Sequence, residues 1–381
     1  MTTPSPPGWF LCCDREESEG FAADWDRLAA LEPVYTPTFS DVRALFADPQ
    51  VAFRLVGVSD TEGVRALGLF VLHAGTREYW LGEIRLLRLP VRSASLFGGN
   101  FLGAPDRTTA AAMIDRALDG LPIDLLVLDD LPTSSGLHAL AKSGEAGVTR
   151  LSYHNTDRRL IALPATMDAY WAGFRSKTRR TALADLRSFE RLKPHYEIFT
   201  GSNAIDDFLP RAAALSTRTY QNRIGQGLIN TPHVQRHFAR LADEGRLFCY
   251  LASVDGAAAA FGWGEIAHGI YYYRVTGYDP NLAGASAGKG ILFYMIRDLI
   301  ERKCCHSFDF GIRDMDYKHR FATVTVPCAH VLIARSKRPR GRVAIGLDRS
   351  LDFVKTTLPR WIGRERLRRI KRLLRGRSAN D

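Results

Sequence analysis

Cysteine is scarce in this chain. Its 381 residues hold six, as the adjacent pairs Cys12-Cys13 and Cys304-Cys305 and the single residues Cys249 and Cys328. Adjacent thiols rarely bridge, and no Cys/His spacing of a metal site occurs, so a disulfide scaffold and a structural zinc site are both excluded. Reduced thiols fit a cytoplasmic protein. Long apolar runs are missing too, since no stretch approaches the roughly 20 residues of a membrane span. The opening Met-Thr-Thr-Pro-Ser-Pro-Pro-Gly has neither the basic nor the apolar region of a signal peptide. Among the histidines only His233 and His237 lie four apart, and no Glu sits between them in the metalloprotease pattern, so no metal is expected.

What is present is the composition of a globular protein, 46% hydrophobic and 24% charged, with length enough for two domains. The net charge of +11 belongs to one end. Residues 335–377 carry 16 Lys or Arg against Asp348, Asp352 and Glu365, which gives +13 and leaves −2 for the rest.

Strand and helix patterns alternate along the chain. Trp25–Leu31 and Ser40–Ala47 have helical spacing, with Ser40 as the expected N-cap. Val51–Val58 and Arg65–His73 read as strands joined by a polar turn, and Ile84–Pro90 and Ala94–Phe97 as two more. Thr108–Leu118 reads as a helix, Asp124–Leu128 as a strand and Ser134–Ala141 as a helix. After the entering strand Arg159–Leu163, Met167–Leu192 is helical, as one or two helices. A strand Tyr196–Thr200, a helix Ala204–Tyr220 and a helix opened by Thr231-Pro232 follow. Arg246–Val254, Ala257–Ile266 and Gly269–Thr276 form an antiparallel succession, because their connections are short. Then come a helix Gly288–Arg302 and strands Ser307–Gly311 and Val324–Ala334. The two halves share this order, which allows a tandem duplication. The expected domains are 1–150, 151–335 and a basic tail 336–381.

The chemistry concentrates between Tyr271 and Phe321. A strand there runs into Tyr278, then into the turn Gly284-Ala-Ser286-Ala287-Gly288-Lys289-Gly290 and a helix. Unpaired N–H groups at a helix start favour an anion, and glycine lets the backbone approach it. The glycine spacing is one residue short of an ATP loop, and Gly290 stands where Ser or Thr would hold magnesium, so ATP hydrolysis is rejected. A pyrophosphate cradle from Ala287 to Gly290, with Lys289 as a point charge, fits instead; an ordinary loop is the plain alternative. Next, Asp309 stands between Phe308 and Phe310 and points opposite to both. A carboxylate there needs a cation, and Arg313 or Lys318 is the expected partner. Asp314, Asp316, Tyr317 and Lys318 follow the strand end, with Tyr317 suited to protonate a leaving thiolate and Asp314 or Asp316 to deprotonate an amine. A structural salt-bridge cluster is the alternative. On the long helix, Lys177 and Arg180 share a face and would meet an acidic substrate or cofactor phosphates, unless that face is merely solvated.

The tail from Trp361 to Arg377 places Leu367, Ile370 and Leu374 on one stripe among basic residues. This pattern suits the anionic inner face of a membrane. Nucleic acid and packing on the protein body are the competing readings.

The run Phe308-Asp-Phe-Gly-Ile-Arg-Asp-Met-Asp-Tyr-Lys-His-Arg-Phe321 resembles the closing signature of the CelD-like branch of the GNAT acyltransferase superfamily. Lys177-Thr-Arg-Arg180 and the stretch from Tyr278-Asp279 to Gly288 resemble its other recurring elements. The resemblance covers about residues 155–330, and the first 150 residues resemble a degenerate GNAT-like half. The branch is also similar to FemAB-type transferases, which carry two GNAT-like domains and use aminoacyl-tRNA. The resemblance implies a tandem GNAT-like α/β (α+β) fold with mixed, largely antiparallel sheets flanked by helices. It implies acyl transfer from acetyl-CoA or another acyl-CoA to an amine or hydroxyl of a small-molecule, lipid-linked or cell-envelope sugar acceptor. Tyr278, Ser286, Ala287, Gly288, Lys289 and Gly290 would hold the CoA, Asp309, Asp316, Tyr317 and Lys318 would lie at the reaction centre, and Lys177, Arg180 and Arg313 would meet the substrate. The branch often has Ser-Pro-Gly where this chain has Ser286-Ala287-Gly288, which leaves the turn less constrained. An aminoacyl-tRNA donor and a non-catalytic membrane adaptor are the alternatives.

Overall fold

The computed structural model describes residues 8–81, 84–142, 148–219, 222, 225, 227–312, 315–335 and 338–362. Two halves of the chain run through the same order of elements. The first has β1 (Gly8–Cys12), helices α1 (Arg15–Ser18), α2 (Ala22–Ala29) and α3 (Phe39–Phe46), and the strands β2 (Ala52–Asp60), β3 (Gly63–Leu81) and β4 (Ile84–Leu96). It closes with α4 (Arg107–Leu118), β5 (Leu125–Pro132), α5 (Gly136–Lys142) and β6 (Val148–Ala162). Helices α6 (Met167–Ala172) and α7 (Ser176–Glu190) lead on to β7 (His195–Phe199). The order then returns: α8 (Leu209–Ser216), α9 (Pro232–Asp243), β8 (Leu247–Val254), β9 (Ala257–Ala267), β10 (Ile270–Tyr278), α10 (Ala287–Arg302), β11 (Ser307–Asp309), α11 (Asp316–Phe321) and β12 (Val324–Arg335). A last helix, α12 (Pro339–Ile362), follows. In each half three strands pair antiparallel, and a helix then returns the chain to a strand parallel to the third.

The chain divides into two compact units. One contains residues 1–20, 44–155 and 329–381, the other 21–43 and 156–328. This division departs from the sequential one. Residues 21–43 join the second unit because Asp41 pairs with Arg240 and Arg246, at 2.7 and 2.9 Å, and Tyr35 stacks on Tyr272. The end of β12 and α12 join the first unit. Leu332, Ala334, Ala344 and Ile345 share a core with Leu125 there, and Arg77 chelates Asp348.

In the first unit β1, β2, β3 and β4 are antiparallel and β5 runs parallel to β4. Helices α4 and α5 cover one face through Met113, Leu118, Leu137 and Leu140. The second unit has the order β6-β11-β10-β9-β8-β7. Strand alternation sends Phe248, Tyr250 and Ala252 to one face and Cys249 and Leu251 to the other. The first face packs against α7 and α10, the second against α8 and α9. Buried residues lie all round α10, among them Ile291, Phe293, Met295, Ile296 and Leu299, so it is the central helix of this unit.

Local corrections are few. Thr38, not Ser40, caps α3, and its N–H donates to Asp41 Oδ2 at 2.9 Å in a capping box. Residues 8–12, for which the sequence predicted no element, form β1 at the edge of β2. The two strands expected between 84 and 97 are one. Pro90 stands inside it, opposite Thr76, where β4 has a partner on one side only and a missing N–H is tolerable. None of the six cysteines is in a disulfide. No helix among the described residues is long and apolar enough to cross a membrane.

Candidate active site

The site is a consequence of two strands that part. Strands β10 and β11 pair in parallel over only Ile270–Tyr272 and Ser307–Asp309. Beyond that β11 ends, while β10 runs on to Tyr278 with a bulge between Tyr273 and Val275. Its edge toward β11 therefore has no strand partner from Tyr273 onward among the described residues. A cavity of about 540 Å3 occupies the gap. Tyr273, Thr276 and Tyr278 line it from β10, Met315 and Tyr317 from the start of α11, Ser286 to Lys289 from the start of α10, and Arg218 and Thr219 from beyond α8.

The turn into α10 is built for close approach. Asp279 caps a short 3-10 turn, Pro280–Ala285, through Asn281 N–H and pairs with Arg218 at 3.0 Å. Ser286 then takes a left-handed conformation, φ 63°, which is uncommon for a residue with a side chain. The N–H groups of Lys289 and Gly290 both donate to Ser286 O. Those of Ala287 and Gly288 make no hydrogen bond among the described residues and stand at the cavity. A Cβ on Gly288 would meet the Tyr278 ring at 2.8 Å. Gly290 serves another purpose than the expected cradle: a Cβ there would lie 2.1 Å from Phe189, so the glycine lets α10 pack on α7. Lys289 lines the cavity, but its Nζ is 2.6 Å from Asp185 Oδ2. Ser286 Oγ donates to the other oxygen of Asp185 at 3.0 Å.

Tyr317 is the reactive group best placed. Its ring packs edge-on against Phe310, and its hydroxyl makes no hydrogen bond among the described residues. Burial pushes its phenol up to about 12, so it remains a proton donor at neutral pH. Burial raises Tyr273 as well.

The other expected catalytic residues are elsewhere. Lys318 is buried, and its ammonium donates to the carbonyls of Phe310 and Ile312 at 2.7 and 2.8 Å, where it holds the turn after β11. Asp309 is fully buried away from the cavity. It accepts from Arg158 Nε at 2.7 Å, from Gly311 N–H at 2.7 Å and from Tyr35 N–H at 3.2 Å. Its cation is thus Arg158, from β6, which the sequence did not point to. Asp316 is exposed and does not line the cavity. Lys177 and Arg180 are exposed on α7, also outside the lining, while the opposite side of that helix supplies Asp185 and Phe189. Arg313 and Asp314 lie outside the described residues, as does the tail beyond Ile362.

Sequence reading missed Arg218, Asp185 and Arg158, which come from three separate elements. No local motif marks them. It also overlooked that Gly284-Ala-Ser286-Ala-Gly288 spells a nucleophile elbow. The structure does not support that chemistry, since Ser286 is bonded to a carboxylate and no histidine is among the described residues lining the cavity. No Asp or Glu is among them either. No metal-holding cluster of His, Cys, Asp and Glu occurs among the described residues.

Comparison with known proteins falls on the same region. Residues 176–319 match the family model of the acetyltransferase (GNAT) domain. The match spans α7 through the start of α11, so it takes in every segment of the cavity. No curated protein matches the chain. Among solved structures, the crystal structure of FemX is similar with a TM-score of 0.59 and 11% identity, over 85% of this chain and 98% of that one. A conserved protein of unknown function from Bacteroides thetaiotaomicron VPI-5482 is similar with a TM-score of 0.51 and 13% identity, over 82% and 97%. At these identities the likeness shows the fold. The mixed α/β class, with a GNAT-like region in the second unit, is as the sequence led us to expect.

Proposed function

We propose that the second unit is an acyl-CoA-dependent N-acyltransferase acting on the amine of a small-molecule or cell-envelope sugar acceptor. One observation carries this reading: a single cavity joins two helix-start N–H groups, without a partner among the described residues, to a half-buried, protonated tyrosine across parted strands. Ala287 and Gly288 would hold a pyrophosphate by their N–H groups, with the bare face of Gly288 giving the room. Arg218 and Lys289 stand beside it, both already paired with carboxylates, so they contribute less attraction than free cations would. The unpaired edge of β10 beyond Tyr272 offers backbone N–H groups to a polarised carbonyl.

An acyl thioester supplies an activated acyl group to such a site. Tyr317 gives its proton to the departing sulfur. With no carboxylate among the described residues of the lining, the acceptor amine enters neutral or loses its proton to water. Binding both reactants in one gap supplies orientation. The rate should then rise with pH through the amine's own pKa, with no descending limb from Tyr317 below about pH 11. The test is release of free CoA thiol with acetyl-CoA and a panel of amines. Tyr317→Phe should cut turnover about 10²-fold or more at nearly unchanged CoA affinity. Equal loss of both removes Tyr317 from the proton path. Absence of thiol release from acetyl-CoA with every amine of the panel sends the donor question to aminoacyl-tRNA, the alternative for this fold.

A further inference from the structure

We infer that the β3–β4 ribbon of the first unit is a docking element for an anionic phospholipid bilayer. Strand β2 pairs with β3 only as far as Leu72, and β5 pairs with β4 only from Ser93. Residues 73–81 and 84–92 therefore run on as a two-stranded ribbon, roughly 30 Å long at the usual rise per residue. Isolated two-stranded ribbons are marginal in water. Here α12 supports one face: Tyr79 Oη donates to Ala344 O at 3.2 Å and Arg77 chelates Asp348.

The far end of the ribbon exposes large apolar side chains among its charges. Trp80, Leu86 and Leu87 are 41, 52 and 43% exposed within a few residues of the ribbon's end. A register shift between Tyr79 and Trp80 leaves Leu86 as the bulged residue, which turns an extra leucine outward. Arg85 lies over the Trp80 ring at 5.8 Å, and Arg88 pairs with Glu78 at 2.7 Å. An indole with a bound cation beside exposed leucines suits the headgroup level, where the apolar ring sinks and the guanidinium stays with phosphate. The charge is complementary to such a surface. Between residues 73 and 92 four arginines, Arg77 among them already held by Asp348, stand against two acids, and the sequence 363–377 carries eight Lys or Arg against Glu365. A surface for another protein would not need this excess of one sign. The ribbon adds insertion to the attraction that the tail supplies, and two weak signals together make a stable anchor.

The test is co-sedimentation of the full chain with vesicles of phosphatidylcholine alone and of phosphatidylcholine mixed with phosphatidylglycerol. The chain should sediment with the mixed vesicles and not with the neutral ones. Trp80→Ser with Leu86→Ser, and separately Leu86→Asp, should weaken partition about tenfold or more with the tail intact and the circular dichroism unchanged. Arg85→Ser and Arg88→Ser should cost about fivefold each. Unchanged partition of the ribbon variants would overturn the inference and leave the tail as the anchor. So would preferential binding to nucleic acid that the ribbon variants abolish. A dimer of the full chain in solution that the variants dissociate would assign the ribbon to a second copy instead.

Discussion

The assignment of Asp309 to structure and not to chemistry has a measurable consequence. The perturbation is Asp309→Asn. In the native protein both members of the Arg158–Asp309 pair are nearly dry, at 6 and 0% side-chain exposure, and their atoms are 2.7 Å apart. Removing one charge of such a pair typically costs about 3–5 kcal/mol, because the other stays buried without its counter-charge. Asparagine keeps one oxygen that can still accept from Gly311 N–H or Tyr35 N–H, which places the expected loss near the lower end, about 3 kcal/mol. With a urea dependence of about 2 kcal/mol per molar, the unfolding midpoint should fall by roughly 1.5 M. The assay is urea unfolding followed by near-ultraviolet dichroism, to which Trp171 and Trp263 of the same unit contribute. The double change Arg158→Met with Asp309→Leu is the control. It removes both charges and should recover most of the loss. A single variant that keeps its stability to within about 1 kcal/mol while turnover collapses would refute the reasoning and return Asp309 to the reaction centre.

Two further outcomes follow from the packing and charge of the same unit. Burial alone would raise Asp41, but the hydrogen bonds and charges of Arg246 and Arg240 outweigh it and hold the carboxyl down to about 2. A depressed carboxylate contributes stability that is present above the unfolded value near 4 and lost as pH falls toward 2. The contribution is about 2 kcal/mol, and urea midpoints measured from pH 5 downward should show it disappear, with Asp41→Asn lacking that slope. Gly290→Ala should lower stability by about 1–3 kcal/mol, because the new methyl must displace Phe189 and with it the α7–α10 contact. An unchanged melting temperature would show that the two helices can part at no cost.

Much of the fold was legible because it is written locally. The antiparallel succession Arg246–Thr276 announced itself by short turns and β-rich runs, and Thr231-Pro232 marked the start of α9, whose N-cap is Thr231. The turn before α10 was legible for the same reason, since glycines and a helix start are adjacent in sequence. What sequence could not give was partnership between distant segments. Tyr35 reaches Asp309 across 274 positions, and Arg158 reaches it across 151. Arg313 and Lys318 follow Asp309 closely in the same motif, so one of them was the natural expectation. Lys318 donates to two carbonyls of the turn after β11. In the same way α7 drew attention to its basic exposed face, while its contribution to the site comes from Asp185 on the other side.

The central claim is that the gap between β10 and β11 holds the phosphates and thioester of an acyl-CoA. Calorimetric titration of the protein and of its Gly288→Val variant with acetyl-CoA and longer acyl-CoAs tests it most directly. The account predicts saturable binding to the native protein. It predicts loss of that binding in the variant, whose side chain would collide with Tyr278 and fill the space before the Ala287 and Gly288 N–H groups. Equal binding by both proteins, or binding of no acyl-CoA by either, would contradict it.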